Sequence, residues 1–589
     1  MMRFFFALWM LAVPMTLWSD DWSSFDRLIA SLRLTSNVED LSDSVRIQLD
    51  EPRMAYANIT GISALPNSKQ TYREGWMEVY DGEGHYFRKR IRIHGQGGYS
   101  IRYAKKNFSC TFCEQDYTEE VTTDLRFGQW VWQDGFHFKA FWTDFSRGLG
   151  EMGYKMFSIL VADRPGYPAR AGVQAARARC FPDGFPCALY MNGRFYGIYA
   201  WQLKKHRKNM GMKKTEPMHI HIDGNINNKY LFGGKVDWKQ FEVRNPKELF
   251  TQSGDEYNGN SPSELMDASS PYYHEANDDE ATRLGKERSA QVKQAVLMLA
   301  STNATLFAMQ SSHASATAIR DVFSHHFDVA SLIDYYLFYH LSANGDGSLK
   351  NWQWFTYDGR LWMVTPYDLD QTFGINLYGV VRPPTFSVSE LTEGPFLWLI
   401  DYFQPEIRKR YADLRASGQI SAERLVPVVE DWCERVGETF YAMERAAWPQ
   451  SPCYCDAVCN APWQPCEEWD LYALVPAYSA TALFQAGDIC RLEGRLWKTT
   501  ARVQGVYPFS RNANRDSLER LRAWIPERIP YLDDKFGYKP NAVRPPTSTH
   551  TTDGTIRYYT PDGLPISRLR RGVNIIRYGN GSTRKVLIR

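Results

Sequence analysis

Residues 344–374 read NGDGSLKNWQWFTYDGRLWMVTPYDLDQTFG. A helical pattern over Val329–Leu341 runs into a loop holding Asp346 and Asn351. Two strand-like runs follow, Trp352–Tyr357 and Leu361–Val364, and the second opens onto Asp368-Leu369-Asp370. Phosphoryl transfer needs a carboxylate that orients the attacking hydroxyl, an oxygen ligand for a metal, and a carboxylate on the metal that bridges the phosphates. Asp346 suits the first task and Asn351 the second, and they are spaced as in the catalytic loops of phosphotransferases. Asp368 and Asp370, with Phe373-Gly374 shortly after, are both candidates for the third.

Upstream the patterns are β. Val45–Leu49 and Gly75–Tyr80 alternate apolar and polar residues, Phe87–His94 alternates strictly, and Lys106–Phe112 alternates again after the loop Gly95-Gln96-Gly97-Gly98. Gly95, Gly97 and Gly98 lack a Cβ, so their backbone N–H groups can approach phosphates, with Lys106 (or Lys105 beside it) reaching them from the next strand. Trp132–Phe141 predicts a strand, Asp144-Phe145-Ser146 a cap for a helix reaching about Val161, and Asn192-Gly193 a tight hairpin between Cys187–Tyr190 and Phe195–Trp201. Helical patterns then dominate at Ser289–Leu306, Val329–Leu341 and Ala422–Ala447, so a β-rich half precedes an α-rich half. Beyond the Cys- and Pro-rich joint Pro449–Cys466, short strands are predicted over Tyr478–Pro508 and a helix over Ser517–Phe536. A Pro/Thr linker follows over Lys539–Thr552, then a small β unit over Ile556–Arg589.

A chain of 589 residues is long enough for two to four folded units. Its aromatic share of 14% favours surfaces that stack on flat ligands or sugars. A net charge of only +2, with no basic stripe interleaved with aromatics, excludes a nucleic-acid partner. Met1-Met2-Arg3, the apolar run Phe4–Trp18 and the small residue Ser19 form the pattern of a secretory signal peptide, and the run is short for a membrane span. No later segment reads as a transmembrane helix, so the mature chain is expected to be secreted or held at the cell surface. In that setting disulfides are favoured over zinc for the clustered cysteines. These are Cys110 with Cys113, Cys180 with Cys187, and Cys453, Cys455, Cys459 and Cys466 between Cys433 and Cys490.

From about Val45 to Tyr538 the chain resembles the CotH (spore coat protein H) kinase family. The resemblance is carried by IRIHGQGG with AKKNF, by KAFWTDFS, by LYMNGRFYGIY, by NGDGSLKN with LWMVTPYDLDQTFG, and by AWIPERIPYLDDKFGY. It implies an α+β, atypical protein-kinase-like fold with a β-rich N-lobe and an α-rich C-lobe, binding of ATP with Mg or Mn, and phosphorylation of a hydroxyl on a secreted or surface protein. Carried across, Asp346 is the catalytic aspartate, Asn351 and one or both of Asp368 and Asp370 are metal ligands, and Lys106 contacts phosphate. Two places depart from the family. His94-Gly95 stands where Arg-Gly is usual, and Gln202-Leu203-Lys204 stands where an acidic residue is expected. Glu151, in the helix after Asp144, is the candidate acidic partner of Lys106.

Residues 477–508 resemble a small chitin-binding-type carbohydrate module, in which Tyr478, Trp497 and Tyr507 would present rings to a glycan. The last stretch, IRYYTPDGLPISRLRRGVNIIRYGNGSTRKVLIR, is similar to C-terminal sorting domains of Bacteroidetes-type secretion. The expected organisation is a signal peptide (1–19), a kinase-like domain (20–470) and an inserted β module (471–510). A helix returning to the kinase-like domain (511–540), a linker (541–555) and a sorting-like β segment (556–589) complete it. Three functions are compatible with these features: an exported kinase, a catalytically weak surface protein that binds glycans or a host surface through the β module, or a metal-dependent hydrolase that uses the same carboxylates.

Overall fold

The computed structural model describes residues 22–31, 39–40, 46–82, 84–98, 100–113, 124–164, 180–213, 216, 218–223, 232, 242–245, 280–348, 351–376, 381–448, 462–466, 474–492, 495–508, 517–539, 557–560, 565–566, 572–577 and 583–588. The expected signal peptide, the linker and Cys453, Cys455 and Cys459 lie outside them. The chain divides into two compact units, Met1–Gly537 and Tyr538–Arg589.

The β-rich half of the first unit is built on one eight-stranded sheet, with a short parallel pair, Arg46–Leu49 and Asp124–Phe127, beside it in sequence. Its strands are β1 (Glu39–Asp40), β2 (Ala55–Thr60), β3 (Arg73–Tyr80), β4 (Tyr86–Gln96), β5 (Asn107–Phe112), β6 (Gly135–Lys139), β7 (Gly184–Met191) and β8 (Arg194–Leu203). Their spatial order is β1-β4-β3-β2-β7-β8-β6-β5, and β5 also pairs with β4, so seven strands close into a ring. Alternation dictates this arrangement: β4 buries every second residue, sending Phe87, Ile91 and Ile93 to a core shared with Ile59, Met77, Phe108, Phe138, Leu189 and Trp201. The β7–β8 hairpin forms at Asn192-Gly193, both with positive φ, as the sequence predicts.

Helices are α1 (Phe25–Ser31), α2 (Leu149–Leu160), α3 (Glu280–Ser311), α4 (Ala316–His326), α5 (Val329–Ser342), α6 (Pro395–Tyr402), α7 (Gln404–Ala416), α8 (Ala422–Ala447) and α9 (Leu518–Phe536). At the start of α2 the Asp144 carboxylate accepts from the N–H groups of Gly148 at 2.9 Å and Leu149 at 2.8 Å, satisfying donors that the helix cannot satisfy itself. α8 is broken at Gly437, whose φ of 77° and ψ of 155° suit only glycine.

A second sheet orders β10 (Glu242–Asn245), β9 (Ile220–Asp223), β11 (Trp352–Thr356) and β12 (Met363–Pro366). The small β module pairs β13 (Trp463–Cys466) and β14 (Ile489–Leu492) with β15 (Arg495–Thr499) between them, so it reaches back into the Cys-rich segment. The second unit is an antiparallel sheet ordered β17 (Pro565–Ile566), β16 (Arg557–Tyr559), β18 (Gly572–Arg577) and β19 (Thr583–Ile588). The mixed α+β class is as expected, whereas among the described residues no disulfide bridge is found. Cys110, Cys187, Cys466 and Cys490 are free thiols, with Cys110 and Cys187 pointing into the barrel core. Among the described residues no helix is long and apolar enough to cross a membrane.

One buried carboxylate ties the barrel to the helices. Glu444 of α8 accepts from Lys105 Nζ at 2.7 Å, Arg147 Nε at 2.8 Å and the Ile198 N–H at 2.7 Å. The bulge at Gly197 makes room for it, because a Cβ there would lie 2.6 Å from Lys105 Cε and 2.8 Å from Glu444 Oε2. Removing Glu444 strands two cations in the interior, so Glu444→Ala is expected to cost roughly 3–5 kcal/mol. Chemical denaturation checks this, and a loss under about 1 kcal/mol, the scale of a surface ion pair, would contradict it.

Candidate functional site

Helix α5 is capped by Asp328, whose carboxylate accepts the Ser331 N–H at 2.7 Å, and it ends where Ala343 turns left-handed with φ 49°. The following loop is held from within. Asn344 Oδ1 accepts from Gly347 N at 3.0 Å, and the Tyr335 hydroxyl donates to Gly347 O at 2.9 Å. Asp346 sits between these two anchors. The β11–β12 hairpin, in register with Trp352 opposite Pro366, then folds the chain back so that Tyr367 N donates to Asn351 O at 3.0 Å. Antiparallel pairing thus converts a sequence separation into a contact.

At the mouth of that hairpin Asn351 Nδ2 donates to Asp346 Oδ2 at 2.9 Å and lies 3.4 Å from the Asp368 carbonyl. Gln371 Nε2 donates to the same Asp346 oxygen at 3.0 Å. Asn351 and Asp368 both have positive φ, 65° and 50°, a conformation that costs free energy in non-glycine residues and clusters at functional sites. Asp368 is held from α2, because its N–H donates to the Tyr154 hydroxyl at 2.9 Å, and Gly153 lets Leu369 pack against the same helix. From the barrel, Lys139 at the end of β6 brings Nζ to 3.9 Å from Asp368 Oδ1. Asp370 lies in the short turn Leu369–Gln371, while the contacts to Lys139, Asn351 and Tyr154 belong to Asp368.

The far side of the site is clamped by α9. Buried Arg528 donates to the carbonyls of His340, Pro384 and Phe386, and Trp524 Nε1 donates to Arg382 O at 3.0 Å. The late helix therefore packs on the segment after the acidic motif.

Several expected site residues fall elsewhere. Gly95 is buried within β4, paired with Phe108, and packs against residues 66–68, so it is a close-approach glycine and no part of an exposed loop. Gly97 and Gly98 make the turn, Gly97 with φ 117°. Lys106 is buried and its ammonium donates to Ile101 O at 2.7 Å, so the lysine that faces the acidic motif is Lys139. Glu151 does not pair with Lys106. It is fully buried on α2, takes the Gln202 side-chain amide on Oε1, and leaves Oε2 without a hydrogen-bond partner among the described residues. In the small module, Trp497 is a core residue packed with Trp463, Phe484 and Val503, and presents no ring. Tyr478 and Tyr507 stand edge to face with centroids 5.5 Å apart, and Tyr507 is exposed.

The signal for Lys139 was available in the sequence: a lysine ending an apolar strand, followed twelve positions later by Glu151 in a helix. Asp346, Asn351 and Asp368 offer two carboxylates and one amide oxygen. A hard dication that shares substrate phosphates takes such a set, using one or two carboxylates and no all-protein cage. Among the described residues no group of three or more His, Cys, Asp or Glu side chains is arranged to hold a metal alone. The donors fit a magnesium or manganese ion bound together with nucleotide. A family model described as "CotH kinase protein" matches residues 91–452, more than half of the chain and the whole of this site. No curated protein matches the chain.

Burial pushes the Glu151 carboxyl up to about 8, against the pull of the Gln202 amide and of Lys155 and Lys139. The folded protein therefore holds a proton that the unfolded chain releases above the ordinary 4.5. Stability is expected to fall as pH rises through that window, by at most about 1.4 kcal/mol per pH unit, and to level off above it. Glu151→Gln should flatten the slope in denaturation midpoints followed from pH 5 to 8. An unchanged slope would show that Glu151 is ionised in the fold.

Proposed function

Because the chain belongs to the CotH kinase family, we propose that it is an exported atypical protein kinase that moves the ATP γ-phosphate to a hydroxyl of a secreted or surface protein. The observation that carries this reading is the Asn351 amide, 2.9 Å from the Asp346 carboxylate and 3.4 Å from the Asp368 carbonyl, with Lys139 facing the Asp368 side chain. Asp346 orients the acceptor hydroxyl and takes its proton as the new P–O bond forms and the bond from the γ-phosphorus to the bridging oxygen breaks, releasing ADP. Asn351 and Asp368 would hold the dication, and the Lys139 ammonium facing the Asp368 carboxylate favours Asp368 over Asp370 for that role. Lys139 contacts the phosphates, the task the sequence had suggested for Lys106. The dication, when bound, offsets charge that develops on the transferred group. The β barrel and the α-rich half correspond on this reading to the N-lobe and C-lobe of a kinase.

Export is supported by the apolar run Phe4–Trp18 after Arg3. A second reading, a catalytically weak scaffold that binds glycans, draws on two observations. Buried Glu151 has Gln202 where a kinase places its lysine, and the Tyr478–Tyr507 pair offers an exposed ring.

Transfer of labelled γ-phosphate to the chain itself and to a Ser/Thr-rich acceptor, with Mg or Mn, separates the readings. Asp346→Ala and Asp368→Ala are expected to lose roughly 10²-fold or more in rate. Lys139→Ala should raise the KM for ATP, and Asp370→Ala should retain more activity than Asp368→Ala. Chelation of the metal should abolish transfer and restoring it should recover transfer. A wild-type protein silent with both metals and both acceptors would favour the scaffold.

A further inference from the structure

Lys139 does not stand alone on its strand. His137 lies two positions earlier on β6, so it shares the outer face with Lys139 about 7 Å away along the strand. Its cross-strand partners are Ser109 of β5 and Gln202 of β8, and Gln202 donates its side-chain amide to Glu151 of α2, which places this face under the helix that holds Asp368. His137 is 8% exposed and Gln202 2%, yet His137 Nδ1 and Gln202 Oε1 have no hydrogen-bond partner among the described residues. An unpaired polar atom in the interior costs on the order of 1–3 kcal/mol, so two on neighbouring residues beside a phosphate-facing lysine mark a place where a ligand completes the pairing.

The chemistry of the two atoms narrows the ligand. The amide of Gln202 is oriented by Glu151, so its oxygen faces the unpaired side and demands a donor. Burial and the charges of Lys139, Lys204, Lys205 and His94 keep His137 neutral, and a neutral imidazole carries one donor and one acceptor nitrogen. A heteroaromatic edge with an amino group next to a ring nitrogen satisfies both. Adenine has that edge at its 6-position, where guanine has a carbonyl acceptor facing the one that Gln202 already offers and carries its amino group at the 2-position instead.

Resting on the kinase reading above, we propose that the nucleotide site runs from Lys139 along β6 onto His137 and Gln202, and that these two side chains read the adenine edge. Calorimetric titration of the full chain with ATP, GTP and inorganic tripolyphosphate, each with magnesium, tests this. In His137→Phe and in Gln202→Met the affinity for ATP should fall about tenfold per lost hydrogen bond, with that for tripolyphosphate unchanged and the preference for ATP over GTP reduced. Should either variant fail to fold, wild-type protein suffices: the ¹⁵N resonance of His137 Nδ1 should shift with a non-hydrolysable ATP analogue and not with tripolyphosphate. Equal losses for ATP and tripolyphosphate, or a ¹⁵N shift common to both, overturn the base contact. Wild-type binding of tripolyphosphate without binding of either nucleotide overturns it too while leaving the phosphate end standing, and binding of none removes the kinase reading itself.

Discussion

The carboxylate of Glu444 is the joint on which the first unit depends. It arrives from the second segment of α8 and meets Lys105, Arg147 and the Ile198 N–H in a space that excludes water. Burial pulls the Lys105 ammonium down to about 7 while Glu444 pulls the other way, so this carboxylate keeps a cation viable in the interior. Arg147, anchored by Glu444, in turn donates to the carbonyls of Phe141, Trp142 and Asp144 and shapes the turn that starts α2. From α2 come Tyr154, which grips the Asp368 backbone, and Glu151, which fixes Gln202. A charge buried between barrel and helices thus helps set where the Asp368 turn lies.

The site itself works by convergence of three supports that are separate in sequence. The loop after α5 supplies Asp346, the hairpin delivers Asn351 and Asp368 as a facing pair, and the barrel wall contributes Lys139. Each support is rigid for its own reason: internal hydrogen bonds in the loop, ladder register in the hairpin, ring closure in the barrel. Preorganisation of this kind is what an electrostatically catalysed transfer requires, because reorienting dipoles during the reaction would forfeit their stabilisation.

What the sequence made legible follows from how local each feature is. Asp346, Asn351 and Asp368 were readable because one helix, one loop and one hairpin bring them together within a single stretch. Lys106 was expected at the phosphates because alternation says that a lysine lies on a strand but not what lies above it; in the fold it is buried and its ammonium donates to the Ile101 carbonyl. Gly95 looked like turn chemistry, yet a glycine also answers to a neighbour that comes too near, here residues 66–68. Strand β2, with four of its six positions buried and three of them consecutive up to Ile59, carries no alternation to detect. Trp497 illustrates the same limit: an aromatic in a tiny module is needed for that module's core.

The closed ring of β2 to β8 has a topological consequence. In an open sheet an inserted residue can be shunted to an edge and lost in a loop. In a ring every strand has two bonded neighbours, so a one-residue slip anywhere must be matched by compensating slips all the way round. The bulge between Phe195 and Gly197 is therefore part of the ring's count, and with it the angular position at which Gln202, His137 and Lys139 face outward. In this barrel, indels have no neutral place along the strands, and only the connections can absorb a change of length.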